Sequence, residues 1–298
     1  FTKENIQKLA LAMSLKIKAE HVEDKPVVIG YDRRFLSKEA VIWSCEIFGQ
    51  QGIKVLFVDR SSPTPLIMFY VMKHDLSYGM MVTASHNPAI YNGIKVFTKG
   101  GRDADEHQTA DIERYLEQAD KLYVPDLEEN GQMPPHAYQE LVKSGQVVEM
   151  NPMNEYLDNI ISLINLDAIR ERDLRIAIDP MYGVSLTALC TILSIARCTV
   201  ETINAQHDTL FGGKMPAPTE STLRNLQNYV LDRYCDIGIA TDGDADRLGV
   251  IDDKGHYLHA NTILVMLYYY LLKYRGWRGP AVRNLSTTHV LDKVAESF

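Results

Sequence analysis

Two short runs of the sequence carry the residue types best suited to chemistry. The first is TASHNP at 83–88, in which the Ser85 hydroxyl is a candidate nucleophile and His86 follows it directly. The second is DGDADR at 242–247, which places three carboxylates at alternating positions. In an extended loop such side chains point to a common side, where they can bind one hard cation. A serine and an oxygen-rich cation site indicate phosphoryl transfer, because that chemistry consists mostly of positioning and of neutralising phosphate charge.

The aspartate run has a rival interpretation, the calcium-binding loop of an EF-hand, which also begins Asp-x-Asp-x-Asp. That loop requires glycine at position six and a bidentate glutamate at position twelve, whereas this sequence has Arg247 and Asp253 there. A strand-like segment, 236–240, also precedes the run where an EF-hand needs a helix. The supporting motifs of a haloacid dehalogenase are missing as well. The run therefore indicates a different site, for Mg²⁺ or Ca²⁺ rather than zinc or copper.

The serine run also has a plain structural interpretation, as a polar turn in which Ser85 and Asn87 bind the backbone and Pro88 ends a strand. It is not a nucleophile elbow, since no Gly-x-Ser-x-Gly surrounds Ser85. Lys95 follows closely in the sequence and can place its ammonium group near the same loop. From the residues alone, Lys95 is either a strand-end charge or a group that holds phosphate or moves a proton.

Composition excludes several classes of protein. The chain has 298 residues, of which 46% are hydrophobic and 23% charged, so it can bury a core and is not disordered. A net charge of −8 argues against a general nucleic-acid binder. No apolar run reaches the roughly 18 residues needed to span a bilayer. The four cysteines lack CxxC spacing, which favours a reducing compartment, and we expect a cytoplasmic protein.

Strands and helices are expected to alternate, which predicts mixed or parallel sheets with helices packed on them. Strands are predicted at 26–30, 53–58, 79–82, 94–97, 174–179, 198–203, 235–240 and 280–284. Helices are predicted after an N-cap at Thr2 and at 38–51, 66–73, 106–121, 154–164, 185–196, 219–233 and 261–274. The Pro-, Gly- and acid-rich segment 124–135 is predicted to be a loop near a domain boundary.

With these motifs in place, the sequence resembles the α-D-phosphohexomutases, the family of phosphoglucomutase and phosphomannomutase, across essentially its whole length. The pattern is carried by TASHNP at 83–88, NGIK at 92–95 and DGDADR at 242–247. Supporting stretches are GYDRR at 30–34, IDPMYG at 178–183 and LFGGKMPAP at 210–218. Thr83 and Ala245 look more like the phosphoglucomutase/phosphomannomutase branch than the phosphoglucosamine mutase branch.

The resemblance implies a fold of consecutive α/β domains of the phosphohexomutase type, each a mixed sheet flanked by helices. We expect domain 1 at 1–150 with the phosphoserine loop, domain 2 at 151–257 with the aspartate loop, and the start of domain 3 at 258–298. Phe1 is not a natural start, and the last residues stop within a helical pattern. We therefore expect a partial chain that folds but turns over sugar phosphates poorly.

The resemblance also implies that Ser85 is stored as a phosphoserine whose phosphate shares one Mg²⁺ with Asp242, Asp244 and Asp246. The physics agrees, since a phosphoserine carries about −1.5 to −2 charges and would repel three aspartates without a cation. A sugar bisphosphate acts as primer, and the substrate is a phosphorylated hexose, glucose or mannose, which exchanges its 1- and 6-phosphate.

Arg247 is implied to reach the same phosphate with its fork of donors. Lys95 and His86 are the candidates for proton transfer, and His86 is equally suited to orienting the serine loop. Two alternatives stay open: a non-catalytic remnant that binds metal and phosphate, and a synthase or phosphatase acting on sugar bisphosphates. The sequence leaves the preferred sugar and the oligomeric state undetermined.

Overall fold

Two sheets flanked by helices make up the computed structural model, which describes residues 1–123 and 137–298. The mixed α/β fold expected from the sequence is thereby confirmed. The loop predicted at 124–135 lies outside the described residues. Within the described parts of the chain, no helix is both long enough and apolar enough to cross a bilayer.

The first sheet is mixed, with strand order β5-β4-β3-β1-β2-β6. Its strands are β1 (Val27–Tyr31), β2 (Val55–Val58), β3 (Tyr78–Val82), β4 (Ile94–Thr98), β5 (Arg102–Asp103) and β6 (Val147–Met150). The four strands β3, β1, β2 and β6 are parallel, β4 pairs antiparallel with β3, and β5 pairs antiparallel with β4. All of β3 and nearly all of β1 is buried, as expected of central parallel strands covered on both faces.

Helices that cover this sheet in the described parts of the chain include α1 (Lys3–Ala19), α2 (Ser37–Gln50), α3 (Thr64–Lys73), α4 (Glu106–Leu122) and α5 (Ala137–Ser144). Thr2 caps α1 as predicted, because its hydroxyl accepts a hydrogen bond from the Asn5 amide. Helices α1, α2, α4 and α5 contribute to one core cluster, which contains Phe48 and Phe57 and lies on one face of the sheet. Helix α3 covers the opposite face. The sheet is therefore sandwiched between two helical layers.

The second sheet has the order β11-β10-β9-β7-β8. Its strands are β7 (Arg175–Asp179), β8 (Thr199–Thr202), β9 (Ile237–Thr241), β10 (Leu248–Asp252) and β11 (Tyr257–Leu258), and its helices are α6 (Met153–Leu163), α7 (Leu166–Arg170), α8 (Leu186–Ile195) and α9 (Arg224–Arg233). Strands β8, β7 and β9 are parallel, and β10 and β11 are antiparallel.

The last part of the chain corrects one prediction. It contains α10 (Ala260–Lys273) and α11 (Val290–Glu296), and the strand predicted at 280–284 is not formed. Val282 is 97% exposed, and no strand of the described residues pairs with this segment. A strand needs a hydrogen-bonded neighbour, so local sequence alone does not create one here.

The parallel strands of both sheets end towards one region of the molecule. The serine run follows β3, and the aspartate run connects β9 to β10. The two runs meet because the carboxyl ends of parallel strands are where α/β folds gather their loops. Contacts between the loops fix this meeting, since the Thr64 amide donates to the Asp244 carbonyl at 2.9 Å.

Candidate active site

Ser85 and Asp242, from different sheets, meet at the centre of the candidate site. Ser85 Oγ donates a hydrogen bond to Asp242 Oδ2 over 2.9 Å. Asp242 is fully buried, and Ser85 is 7% exposed. The residue predicted to be the nucleophile is thus in direct contact with a residue predicted to bind metal.

The serine loop holds Ser85 in an uncommon backbone conformation. Ser85 has φ 51°, in the left-handed region that non-glycine residues rarely occupy. Its amide donates to Thr83 Oγ1 at 2.8 Å, and Thr83 Oγ1 in turn donates to Asp32 Oδ2 at 2.7 Å. Strained residues persist where neighbours over-determine them, and such residues cluster at functional sites.

The aspartate run is a tight turn, which corrects the expectation of an extended loop. Asp242 Oδ1 accepts hydrogen bonds from the amides of Asp246 and Arg247, both at 3.0 Å. Ala245 has φ 61°, and its amide donates to the Asp242 carbonyl at 3.2 Å. The chain therefore curls around the Asp242 carboxylate, which satisfies loop amides that an extended chain would leave unpaired.

The three carboxylates fit a single hard cation. One oxygen from each of Asp242, Asp244 and Asp246 lies within 4.8 Å of the others. Asp244 Oδ1 is buried and has no hydrogen-bond partner among the described residues. A buried carboxylate oxygen without a partner is costly, and a cation would satisfy it. The donor set is all oxygen, which suits Mg²⁺.

Burial and mutual repulsion make this cluster electrostatically unusual. Burial raises the pKa of Asp242 well above its ordinary range, and the nearby charges of Asp244 and Asp246 raise it further. Burial also raises the pKa of Asp244, but the Lys95 ammonium and a hydrogen bond from Thr64 outweigh that effect, so its net pKa is lowered. The cluster thus needs positive charge, and Lys95 provides part of it.

Lys95 contacts the aspartates rather than the serine. It lies on β4, opposite Met81 of β3. Its Nζ donates to Asp244 Oδ2 at 2.8 Å and to Asp246 Oδ2 at 2.6 Å. Burial lowers the pKa of Lys95, yet the two carboxylates raise it more, and the net shift is upwards. Lys95 is therefore charged at neutral pH.

Arg247 and His86 border the same site at longer range. Arg247 Nε lies 4.0 Å from both Asp242 Oδ2 and Asp246 Oδ1, and its side chain is half exposed. His86 Nδ1 lies 3.5 Å from Ser85 Oγ. Burial and the Arg247 charge lower the pKa of His86, which favours the neutral ring. All seven residues predicted from the sequence are thus brought together around Ser85 and Asp242.

Sequence reasoning missed Thr64 and the partners that hold the serine loop. Thr64 Oγ1 donates to Asp244 Oδ2 at 2.7 Å and lies at the start of α3. The run at 30–34 stands out in the sequence only by its resemblance, yet it supplies Asp32 and Arg34, both buried against the serine loop. The usable signal is position in the chain, since both segments directly follow parallel strands of the first sheet.

Comparison with known proteins agrees with this geometry. The sequence family described as phosphoglucomutase/phosphomannomutase, alpha/beta/alpha domain I, matches residues 1–123, and its domain II matches residues 154–255. The chain belongs to the phosphoglucomutase/phosphomannomutase family. The two matched regions are the ones that contain the serine loop and the aspartate loop, and together they account for well over half of the chain.

Relatives within the family carry more than one name. A Pyrococcus abyssi protein named "Probable phosphoglucosamine mutase" is 31% identical over 287 residues, which cover 95% of this chain and 58% of the relative. A Thermococcus kodakarensis protein named phosphoglucomutase/phosphomannomutase is 27% identical over 298 residues, covering 99% and 61%. The chain thus spans about three fifths of the length of these relatives.

Solved structures share the fold. A crystal structure of a Thermus thermophilus protein assigned to the phosphomannomutases is 26% identical, with a TM-score of 0.84, over 99% of this chain and 63% of that one. A phosphoglucomutase/phosphomannomutase family protein from Burkholderia thailandensis, 20% identical, has a TM-score of 0.82 over 100% and 61%. The second likeness concerns the fold alone.

Proposed function

We propose that this chain is the catalytic part of a phosphohexomutase that interconverts the 1- and 6-phosphates of a hexose, with Ser85 as the phosphate carrier. The observation that carries the proposal is the contact of Ser85 Oγ with Asp242, inside a cluster of three carboxylates. A hydroxyl in that position has a cation site beside it, which is the arrangement that phosphoryl transfer needs.

Each half of the reaction exchanges one phosphorus–oxygen bond for another. In the first, the bond between phosphoserine Oγ and phosphorus breaks as a sugar hydroxyl oxygen bonds to that phosphorus. The hydroxyl proton passes to a protein base, a protein acid returns a proton to the leaving Ser85 Oγ, and the product is a sugar bisphosphate. In the second, the sugar presents its other phosphate, and the Ser85 hydroxyl gives its proton to a protein base as Oγ bonds to that phosphorus. The bond between phosphorus and the sugar oxygen breaks, and a protein acid protonates the leaving sugar oxygen.

The polar groups of the site have distinct roles in this scheme. Asp242 orients the Ser85 hydroxyl, because it accepts the proton of Oγ in a hydrogen bond. Lys95 and His86 are the candidates for moving the substrate proton, and the favoured neutral ring of His86 suits a base. Arg247 has its guanidinium at the open side of the site and can bind phosphate oxygens there.

Asp242, Asp244 and Asp246 would hold the Mg²⁺, which the unpartnered Asp244 oxygen supports. When bound, the cation neutralises the phosphate and draws charge from the transferring group. A phosphoserine on Ser85 and a sugar bisphosphate primer belong to the same proposal.

Glucose and mannose phosphates are the proposed substrates. Thr83 and Ala245 support that choice, as does the relative named phosphoglucomutase/phosphomannomutase. Glucosamine phosphate is the second candidate, because other relatives carry the name phosphoglucosamine mutase.

The domain limits at 150 and 257, a cytoplasmic location and the low activity of residues 1–298 on their own also stand as predictions.

The test is a coupled assay of the full-length protein with Mg²⁺ and a bisphosphate primer. Glucose 1-phosphate, mannose 1-phosphate and glucosamine 1-phosphate are each supplied, and conversion to the 6-phosphate is measured. Conversion of at least one sugar is expected, with Ser85→Ala inactive. Consumption of the bisphosphate without isomerisation would favour the phosphatase or synthase alternative, and binding of Mg²⁺ without turnover would favour a non-catalytic protein.

A further inference from the structure

Arg34 makes a set of contacts that the proposed chemistry leaves unexplained. It lies between β1 and α2, is 3% exposed, and directs its guanidinium at the serine loop. Its Nη2 donates to the carbonyls of Ser85 and Asn87 at 2.6 and 2.7 Å. Its Nη1 donates to those of Pro88 and Tyr91 at 2.9 and 3.0 Å. Four main-chain oxygens of one loop thus converge on a single side chain.

A carboxylate next to Arg34 pairs with both its guanidinium and its main-chain amide. Arg34 Nε lies 3.3 Å from Asp32 Oδ2, and the Arg34 amide donates to Asp32 Oδ1 at 2.9 Å. The Asp32 carboxylate also accepts a hydrogen bond from the Thr83 hydroxyl, and the oxygen of that hydroxyl accepts one from the Ser85 amide. Asp32 and Arg34 therefore hold the main chain around Ser85 on both sides, through its amide and its carbonyl.

The face of the same guanidinium lies against an aromatic ring from the second sheet's loops. Arg34 Cζ is 4.9 Å from the ring centroid of Phe211, which is 1% exposed. Such stacking is favourable, and the rigid ring limits rotation of the planar group. The edge of the Phe211 ring also lies 3.3 Å from where a Cβ on Gly243 would be, so the ring packs against the aspartate turn as well.

A purely stabilising role does not account for this arrangement. Burying a charge costs free energy unless it is paired and hydrogen-bonded, and an apolar side chain of similar volume often serves stability equally well. Arginine offers a planar fork of donors in fixed directions, which is what binding several carbonyls requires. The contacts are concentrated on the loop whose Ser85 must stay in a strained left-handed conformation.

We infer that Arg34 is a positioning residue that holds the serine loop against the aspartate loop, with Phe211 as its contact in the loops of the second sheet. This inference rests on the proposed phosphoserine function. Arg34 touches no reacting atom. It keeps Ser85 Oγ at hydrogen-bond distance from Asp242, so its loss should slow phosphoryl transfer while binding of the sugar phosphate is retained.

The experiment uses the full-length protein with Arg34→Lys, which keeps the charge but removes the fork, and Phe211→Leu, which removes the ring face. Arg33→Lys is the matched control, because Arg33 Nη1 also donates to carbonyls, those of Tyr182 and Ala205, and these lie outside the serine loop. Three quantities are measured: hydrogen–deuterium exchange of residues 84–92, kcat and KM for the sugar phosphate, and phosphate uptake by intact mass.

In Arg34→Lys, the amide hydrogens of residues 84–92 should exchange faster than in the wild type. The kcat should fall by about 10- to 100-fold, because misplacing a reacting group by about 1 Å can cost a factor of that size. KM should change little, because ground-state binding is kept. Phe211→Leu should shift exchange and kcat in the same direction but less. Arg33→Lys should leave exchange of 84–92 unchanged.

Wild-type exchange and kcat in Arg34→Lys would overturn the inference, and so would a loss confined to KM. If Arg34→Lys does not fold, Phe211→Leu decides, and wild-type values in that variant overturn it. Failure of the wild-type protein to place phosphate on Ser85 would instead remove the proposed function, and the inference with it.

Discussion

Ser85 Oγ and Asp242 Oδ2 lie 2.9 Å apart although their residues are separated by 157 positions and lie in loops that follow strands of different sheets. The contact joins the end of β3 to the end of β9 in a region where both residues are buried. Any relative movement of the two sheets therefore changes the distance between the candidate nucleophile and the candidate cation site.

The first prediction concerns the phosphate carrier. Incubation of full-length protein with a sugar bisphosphate should add one phosphate to the peptide containing Ser85, and Ser85→Ala should abolish both this addition and turnover. Ser62→Ala is the matched control, since Ser62 is also buried and its hydroxyl has no partner in the described parts of the chain. Phosphate on another residue, with Ser85→Ala fully active, would contradict the assignment.

A second prediction concerns the metal. Asp244→Asn keeps the size of the side chain but removes a charge from the carboxylate cluster, so Mg²⁺ affinity measured by calorimetry should fall. Loss of a residue that hydrogen-bonds to a metal ligand typically lowers metal affinity by about 10- to 100-fold, and loss of a direct ligand should lower it at least as much. Asp253→Asn, an exposed residue beyond β10, serves as control. Equal affinities in the two variants would exclude the cluster as the site.

Lys95→Met should link stability to the cation. The variant leaves Asp244 and Asp246 without their ammonium partner. With a chelator present to remove metal, the free energy of unfolding should therefore fall by about 1–3 kcal/mol. Mg²⁺ should recover much of that loss, because a cation bound to the folded state adds its binding free energy to stability. Thermal unfolding with and without Mg²⁺ measures this. Lys99→Met, which removes an exposed lysine paired with Asp75, should show no such recovery.

The proton-transfer group should be identifiable by comparing Lys95→Gln with His86→Gln. Positioned acid–base catalysis contributes about 10²- to 10⁴-fold, so the residue that moves the proton should show a kcat loss in that range. A residue that orients the loop should show a smaller one. Metal binding is measured in both variants, because Lys95 also contacts the aspartates. Small losses in both would assign the role to neither.

The stability of the protein should depend on the charge of Asp32. Burial raises its pKa to about 6, although hydrogen bonds from Thr83 and from the Arg34 amide lower it. The unfolded value is about 3.9, so the folded state binds more protons between about pH 4 and 6, and the free energy of unfolding falls as pH rises through that window. Wild type should therefore lose stability relative to Asp32→Asn as pH rises from about 4 to 6. The opposite slope in thermal unfolding would contradict the pKa.

The sequence was sufficient to name polar residues that the structure brings together, but not to predict their arrangement. Ser85 and the aspartates were recognisable because they follow strand-like segments and carry side chains with an evident chemistry. The tight turn at Asp242 was not, since it depends on a left-handed Ala245 and on amides bonding a side chain four residues away. Local patterning does not encode such geometry.

Pairing partners that the local sequence does not reveal explain several other misses. The binding of Thr64 to Asp244 spans 180 positions, and the acceptors of Arg34 are main-chain carbonyls, which carry no residue signature. Strand β10 directly follows the aspartate run and was not predicted, because its few residues form a strand by pairing with β9 and β11. The segment 280–284 is the reverse case, a strand-like pattern without a pairing neighbour among the described strands.

Arg33 and Arg34 both bind main-chain oxygens, and this has a consequence for mutational tolerance. Every amino acid supplies a carbonyl, so Ala205 and Asn87 can be exchanged for other residues without removing the acceptor, provided the chain keeps its path. The arginines have no equivalent substitute. A saturation-mutagenesis map of this region should therefore be uneven, with many permitted amino acids at the acceptor positions and very few at Arg34.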